Sequence, residues 1–300
     1  MKYISICSGI EAASVAFADL GWIPIAFAEV DFFPCSLLKQ RFPNVPNLGD
    51  VSAVDWSEFY GSADLVVGGT PCQSFSIAGS RNGLEGESGL VREYFRVLAE
   101  VRPRYFIWEN VVGALSADNG EAFRFILERW DDLGYSVAWR VLSSDGFGIP
   151  QVRRRVYAVG YLGDFTIPAR VLFEHENGGT DTPKFRRDGK TASAIRGYLP
   201  ALTIRDRHGK PGGGKGPLVS FEKSLTLATS NDQLLFDGRG VRQLTCTEAE
   251  RLMGFPDGWT DIPGASVSKR HKAIGNSMCV PVMKWIGERI NSIEGEFSAS

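Results

Sequence analysis

Through the first 170 or so residues, short apolar runs alternate with longer amphipathic stretches. Residues 3–8, 23–29, 64–68, 105–109, 139–142 and 155–161 are compact, β-branched or aromatic-rich runs of strand length. Residues 12–20, 91–101 and 122–133 place their apolar side chains at helical spacing. Strands alternating with helices predict an α/β fold, a doubly wound and mostly parallel sheet covered on both faces. After about residue 173 the pattern fails. The chain to residue 240 is polar, short-stranded and rich in glycine, with Asn177-Gly178-Gly179 and Gly212-Gly213-Gly214. Residues 280–290 regain apolar helical spacing and are expected to pack back on the first domain. The predicted organisation is therefore a large domain over 1–172, a smaller strand- and loop-rich domain with its hinge over 173–272, and a returning helix within 273–300.

Composition narrows the class without changing this picture. The 300 residues are 43% hydrophobic and 23% charged, which suits one large core plus a smaller unit. No uninterrupted apolar stretch approaches the roughly 20 residues that span a bilayer, and Met1-Lys2-Tyr3-Ile4 enters a strand without a leader, so neither a membrane nor export is expected and the predicted location is cytoplasmic. The five cysteines are odd in number and show no CxxC spacing, and the three histidines are dispersed. Free thiols and no metal are expected. Cys7, Cys35, Cys246 and Cys279 read as small buried hydrophobes.

Charge divides the chain more sharply. Residues 184–215 hold nine basic and two acidic side chains, although the whole chain carries a net charge of −2. A basic, glycine-rich stretch in an acidic protein suits a polyanion gripped at one face; a solvated loop is the equally weighted alternative.

Candidate chemistry collects at predicted strand ends. Cys72, in Gly68-Gly69-Thr70-Pro71-Cys72-Gln73, lies just beyond a buried apolar run, where open α/β sheets place their ligands. Cys7-Ser8-Gly9 ends the first strand at a helix, but the other glycines of a dinucleotide site are missing. Glu11 there would repel a pyrophosphate and suits a ligand bearing an ammonium, or it is simply a first-turn helix charge. Glu29 ends the second strand, where such folds hold ribose hydroxyls. Asp50, after a presumed third strand, either accepts from an adenine amino group or caps a turn. Arg153 and Arg155 alternate along an extended stretch and so should face one way, with Arg154 facing elsewhere.

In order, these residues resemble the C5-cytosine DNA methyltransferases along nearly the whole chain. The matching blocks are Ser8-Gly9-Ile10-Glu11, Glu29-Val30-Asp31, Gly49-Asp50-Val51, Gly69-Thr70-Pro71-Cys72-Gln73-Ser74-Phe75-Ser76, Glu109-Asn110-Val111, Gly148-Ile149-Pro150-Gln151-Val152-Arg153-Arg154-Arg155, Arg242-Gln243-Leu244-Thr245, Arg251-Leu252-Met253-Gly254-Phe255-Pro256 and Gly275-Asn276-Ser277. The resemblance implies a Rossmann-like S-adenosylmethionine-dependent methyltransferase sheet with a target recognition domain. It implies Cys72 as the nucleophile that adds to carbon 6, Glu109 as the acid at ring nitrogen 3, Asn110 as a positioning residue, and Arg153 and Arg155 as anchors for the target. Ser8, Gly9, Ile10, Glu11, Glu29, Val30, Asp50, Val51, Gly69, Pro71, Leu90, Asn276 and Ser277 would contact S-adenosylmethionine. Double-stranded DNA would be the substrate, its cytosine flipped out of the stack and closed in by the loop from Ser76 to Glu87.

Gln73, Ser76, Arg205, Arg207, Lys215 and Thr226 are the DNA-binding candidates, Thr226-Leu227 matching the family's Thr-Leu pair. Arg205, Arg207 and Lys215 either donate to guanine edges or grip phosphate. The chain departs from the family where Glu11 stands for a glycine and Val30 for an aromatic, so adenine packing would be weaker or use Phe32. A monomer is the default expectation, and a cognate restriction endonuclease is a candidate partner. A tRNA methyltransferase of the same fold is disfavoured because no Cys-Phe-Thr tripeptide occurs. A non-catalytic DNA-binding protein is disfavoured because Cys72 and Glu109 are both present.

Overall fold

The computed structural model describes residues 1–70, 89–173, 202–205, 218–227, 229, 233–236 and 240–299. In chain order the elements are β1 Lys2–Ile6, α1 Ala12–Phe17, β2 Ile23–Ala28, α2 Phe32–Arg41, β3 Leu65–Gly68, α3 Gly89–Val101, β4 Tyr105–Val111, α4 Glu121–Asp132, β5 Tyr135–Ser143, β6 Gln151–Val152, β7 Arg154–Leu162 and α5 Thr166–Leu172. There follow β8 Leu202–Arg205, β9 Leu218–Phe221, β10 Ser224–Leu225, β11 Gln233–Phe236, β12 Val241–Gln243, α6 Cys246–Met253, α7 Val267–Asn276 and α8 Val280–Ala299. Two compact units result, one of Met1–Leu142, Arg154–Gly179 and Met283–Ser300, the other of Ser143–Arg153 and Thr180–Val282.

In the larger unit a sheet runs in the order β2-β1-β3-β4-β7-β5. The pairs β1–β2, β1–β3 and β3–β4 are parallel, and β4–β7 is antiparallel. The chain leaves β1 to one side for β2 and returns to the other for β3, so the carboxyl ends of β1 and β3 flank the switch point where such sheets bind ligands. Burial on both faces explains the unbroken apolar runs: Leu65, Val66 and Val67 are all fully buried. The helices that cover the sheet do so with one stripe each. Val91, Tyr94, Val97, Leu98 and Val101 are the buried face of α3, and Ala122, Phe123, Ile126 and Trp130 that of α4. The rings of Phe106, Trp130 and Tyr135 meet in the core beneath, Phe106 lying 4.8 Å from Trp130 and 5.3 Å from Tyr135, centroid to centroid.

Three elements differ from the sequence expectation. The strand presumed before Asp50 is only an isolated parallel bridge, Phe27 to Asn47; Pro43 and Pro46 flank that stretch and take away ladder donors. Residues 32–41 form a helix that the sequence reading does not predict, although its buried residues Phe33, Pro34, Leu37 and Leu38 have helical spacing, because the exposed Phe32 blurs the apolar stripe and a proline falls early in it; in a first turn that proline costs no helical bond. β5 starts at Tyr135, since its partial burial breaks the alternation that marks a strand.

The smaller unit holds an antiparallel sheet ordered β12-β11-β8-β9 and the short parallel pair β10–β6. Its helix α6 is delimited by local chemistry. The Thr245 side chain accepts from the Glu248 amide while Glu248 reaches back to the Thr245 amide, and Arg242 grips the same carboxylate at 2.8 Å through both terminal nitrogens. At its other end Gly254 takes φ +83°, and a Cβ there would lie 2.3 Å from the Pro281 ring.

Candidate active site at the carboxyl edge of the parallel sheet

The turn after β1 is built from left-handed residues. Cys7, Gly9 and Glu11 take φ of 49°, 55° and 59°, a strained sequence for two residues that carry a Cβ. Glu29, just past β2, holds this turn in place: its Oε2 accepts from the Gly9 amide at 2.7 Å, and Oε1 accepts from the Val30 and Asp31 amides at 2.8 Å each. Asn47, which the sequence reading did not single out, fixes the backbone of Glu29 in turn, accepting from its N–H at 3.0 Å and donating to its carbonyl at 3.1 Å. Nothing in the sequence pattern marks that asparagine, because its partner is 18 residues away. Among the described residues, a Cβ added to Gly9 would meet nothing within 4 Å. The Cys7 thiol is pushed up to about 12 by burial and by the carboxylates of Glu29 and Asp50. It is therefore a neutral thiol, unlike a nucleophile.

The remaining cofactor candidates divide by exposure. Ser8 bonds to the Ser5 carbonyl at 2.8 Å, and Ile10 and Val51 are buried. Asp50 accepts from the amide and hydroxyl of Ser52 at 2.9 and 2.7 Å, a turn geometry that lowers its carboxyl below the usual range. Val30 and Phe32 are exposed beside Glu29, at 68% and 79%. Leu90 is partly buried against the core in the first turn of α3. Pro71, Cys72, Gln73, Ser76, Arg207 and Lys215 lie outside the described residues.

Glu11 points inward. It is buried, and its Oε2 caps α1 by accepting from the Ser14 amide at 3.1 Å and the Ser14 hydroxyl at 2.5 Å, while Ser14 Oγ also lies 2.6 Å from the Tyr3 hydroxyl. Burial raises its carboxyl to about 7, with the bonds to Ser14 opposing in part. A carboxyl that binds its proton more tightly when folded makes the native state the better proton binder, so stability falls as pH rises from about 4.5 to about 7. Over that window the loss amounts to roughly 3 kcal/mol. Urea unfolding at pH 5 and pH 8 is expected to show that decline for the wild type and to show it reduced in Glu11→Gln, whose amide cannot ionise; an equal decline in both places the titration elsewhere.

At the end of β4, Glu109 and Asn110 are both buried and face opposite ways. Arg155 Nε lies 3.3 Å from Glu109 Oε1, in keeping with a register that sets Arg155 opposite Val111 and Tyr157 opposite Glu109. Asn110 Nδ2 donates to the Thr70 carbonyl at 2.8 Å, and its Oδ1 accepts from the Val111 amide at 2.9 Å. Trp108 Nε1 donates to Thr70 Oγ1 at 3.2 Å. Two side chains of β4 thus hold the residue that stands two before Cys72. Thr70 and Trp108 are functional candidates that the motif reading passed over; the signal available was their adjacency to Pro71-Cys72 and Glu109.

The expectation that Arg153 and Arg155 share a strand face is overturned, because the strand breaks between β6 and β7 at Arg153 itself. Arg153 is buried in the smaller unit and donates to the carbonyls of Leu227 at 3.3 Å, Gly275 at 3.2 Å and Ser277 at 2.8 Å. Its guanidinium braces that unit, whereas Arg155 pairs with Glu109 and Arg154 is exposed. The same unit anchors Thr226-Leu227. Thr226 Oγ1 donates to the Val152 carbonyl at 2.7 Å, and the Leu227 amide donates to Gln151 Oε1 at 2.9 Å. Arg205 donates to the Thr226 carbonyl at 3.4 Å. Ser277 is buried and Asn276 exposed at the end of α7.

Among the described residues no group of three or more His, Cys, Asp or Glu side chains could hold a metal ion, and no helix is long and apolar enough to cross a membrane. The family model of the C-5 cytosine-specific DNA methylases matches residues 1–201 and 212–292. The type II methyltransferase M.NgoBI of Neisseria gonorrhoeae is 32% identical, over 94% of this chain and 90% of that protein. A protein of Escherichia phage P1 named DNA N-6-adenine-methyltransferase is 31% identical over 96% of this chain, which spans 61% of the phage protein's length. The solved structure of the Entamoeba histolytica methyltransferase EhMeth matches with a TM-score of 0.70, covering 98% of both chains at 14% identity, which shows the fold. With the ordered strand-edge residues and a match that runs through both units, the chain belongs to the C-5 cytosine-specific DNA methylases, which use S-adenosylmethionine to methylate cytosine in DNA.

Proposed function

We propose that this chain is a DNA (cytosine-5-)-methyltransferase that acts on a flipped-out cytosine in a short duplex sequence through a covalent Cys72 adduct. The observation that carries this reading is the cluster at the ends of β3 and β4: a buried Glu109 paired with Arg155, and Thr70 fastened to Asn110 two residues before Cys72.

Carbon 5 of cytosine is a poor nucleophile until a thiolate adds to carbon 6 and makes the ring an enamine. Cys72 supplies that thiolate, forming the sulfur–carbon bond as negative charge moves toward ring nitrogen 3. Glu109 delivers a proton or hydrogen bond to that nitrogen, and Arg155 holds the carboxyl in place. Once carbon 5 carries the added methyl group, loss of its proton to a base expels the sulfur from carbon 6 as thiolate, and return of the nitrogen 3 proton to Glu109 restores the aromatic ring. The turn after β1 suits S-adenosylmethionine: among the described residues nothing crowds Gly9, and Glu29 stands at the next strand tip. Gly9, Glu29, Asp50 and Leu90 would hold it, and when bound it supplies an electrophilic methyl group. Glu11 serves through its backbone, its carboxyl being spent inside the turn.

The smaller unit serves as the target recognition domain, with Thr226 and Arg205 toward DNA and Arg153 as an internal brace. Flipping costs a few kcal/mol that phosphate contacts offset. We further assign a monomer working in the cytoplasm, with a cognate restriction endonuclease as a partner. Incubation with S-adenosylmethionine and duplex DNA, followed by mass spectrometry of the nucleosides, is expected to yield 5-methylcytosine. N6-methyladenine as the product would favour the activity in the phage relative's name, and methylation of tRNA alone would defeat the DNA assignment.

A further inference from the structure

We propose that Trp108 and Thr70 form a positioning pair that sets the height and direction at which the Cys72 segment leaves β3; this rests on the reading of Cys72 as the nucleophile. Trp108 is a rigid donor. Its indole is buried, stacked at 6.3 Å on Phe123 and set edge-on at 5.6 Å to Trp130, so its N–H has a fixed direction. A buried indole N–H requires an acceptor, and Thr70 Oγ1 at 3.2 Å provides one. The Thr70 carbonyl is held separately by Asn110 Nδ2 at 2.8 Å. Trp108 lies opposite Gly68 in the β3–β4 register, and Gly68 itself is close-packed, since a Cβ there would stand 2.6 Å from the Ile6 carbonyl oxygen. The end of β3 is therefore pinned through its backbone at Gly68 and through the carbonyl and hydroxyl of Thr70.

Pro71 follows at once. Proline fixes its own φ and restricts the residue before it, so fewer free backbone torsions separate Thr70 from Cys72 than in an ordinary link of the same length. A shift near 1 Å at a reacting atom can cost on the order of 10²-fold in rate. Asn110 acts on the carbonyl alone. The Trp108–Thr70 bond fixes the side chain and with it the rotation of the residue, which the carbonyl bond leaves open.

The test measures the single-turnover rate of covalent trapping on duplex DNA carrying 5-fluorocytosine, beside the binding constant for S-adenosylmethionine and the melting temperature. Thr70→Val removes the acceptor at nearly constant shape, and Trp108→Phe removes the donor while keeping an aromatic ring against Phe123 and Trp130. Each is expected to slow trapping about tenfold or more with cofactor affinity within about twofold of wild type. The double variant should be no slower than the slower single, and Thr70→Ser, which keeps the oxygen, should trap at the wild-type rate. Trapping at the wild-type rate in both singles, multiplicative loss in the double, or Thr70→Ser as slow as Thr70→Val overturns the proposal. Slowing that merely tracks a fall in melting temperature also overturns it. Absence of trapping by the wild type instead defeats the Cys72 reading, and the proposal with it.

Discussion

Cys72→Ala is expected to abolish covalent capture on 5-fluorocytosine DNA and to lower methyl transfer by on the order of 10⁴ or more, with cofactor binding retained. The magnitude follows from what is removed. Without the thiolate, carbon 5 must attack from an intact aromatic ring, and loss of a covalent nucleophile costs several orders of magnitude where the rest of the site cannot substitute. Fluorine is informative because it does not leave carbon 5 as a cation, so the elimination that would free the sulfur stops and the adduct persists in denaturant. A wild-type band shifted by the mass of the DNA, absent in the variant, is the expected gel. Cys7, Cys35, Cys246 and Cys279 do not replace it: burial raises the thiols of Cys7, Cys35 and Cys246, and Cys279 is buried. Capture by Cys72→Ala would assign the nucleophile to one of those four.

The second large effect belongs to the fold. Gly160 lies opposite Phe106 in the antiparallel β4–β7 pair, and a Cβ there would fall 1.9 Å from the Phe106 ring. That ring has nowhere to go, since Tyr94, Trp130 and Tyr135 surround it. Gly160→Ala should therefore cost about 3 kcal/mol or more, at the upper end for overpacking a core. The expected readout is a lower urea midpoint with an unchanged slope. Adding Phe106→Leu to Gly160→Ala should recover part of the loss, because the smaller side chain vacates the ring's position. No recovery would mean that the glycine is required by the strand backbone and not by the ring.

These two cases also separate what is legible in sequence from what is not. Cys72 announces itself by its neighbours, in a motif following an apolar run. Gly160 reads as an ordinary glycine inside a strand pattern, and only the register with β4 shows which ring occupies the space of its missing side chain. The same division runs through the site. Glu29 is recognisable as an acid at a strand tip. That it holds the turn after β1 by bonding the Gly9 amide, and is itself held by Asn47, depends on a non-local approach of three segments.

The two arginines make the point most directly. Their spacing in an extended stretch argues for one shared face, and the inference fails because the strand is interrupted at Arg153. Alternation is a property of a continuous strand, and a break resets it. Glu11 fails in the same way. As a charge in a first turn it suggests a ligand contact or a helix charge, whereas burial against Ser14 and Tyr3 turns it into an internal cap with a raised carboxyl.

By itself, the sequence determined the α/β class, the ordered motifs of a C-5 cytosine methylase and the identity of most candidate groups. Each of these is carried by local periodicity or by residues close in the chain. The tertiary structure alone decided that Arg155 and not Arg153 reaches Glu109, that Trp108 and Asn110 converge on Thr70, and that Glu11 is spent inside its turn. Those outcomes depend on strand register and burial, which arise only when segments far apart in the chain compete for the same volume and the same hydrogen-bond partners.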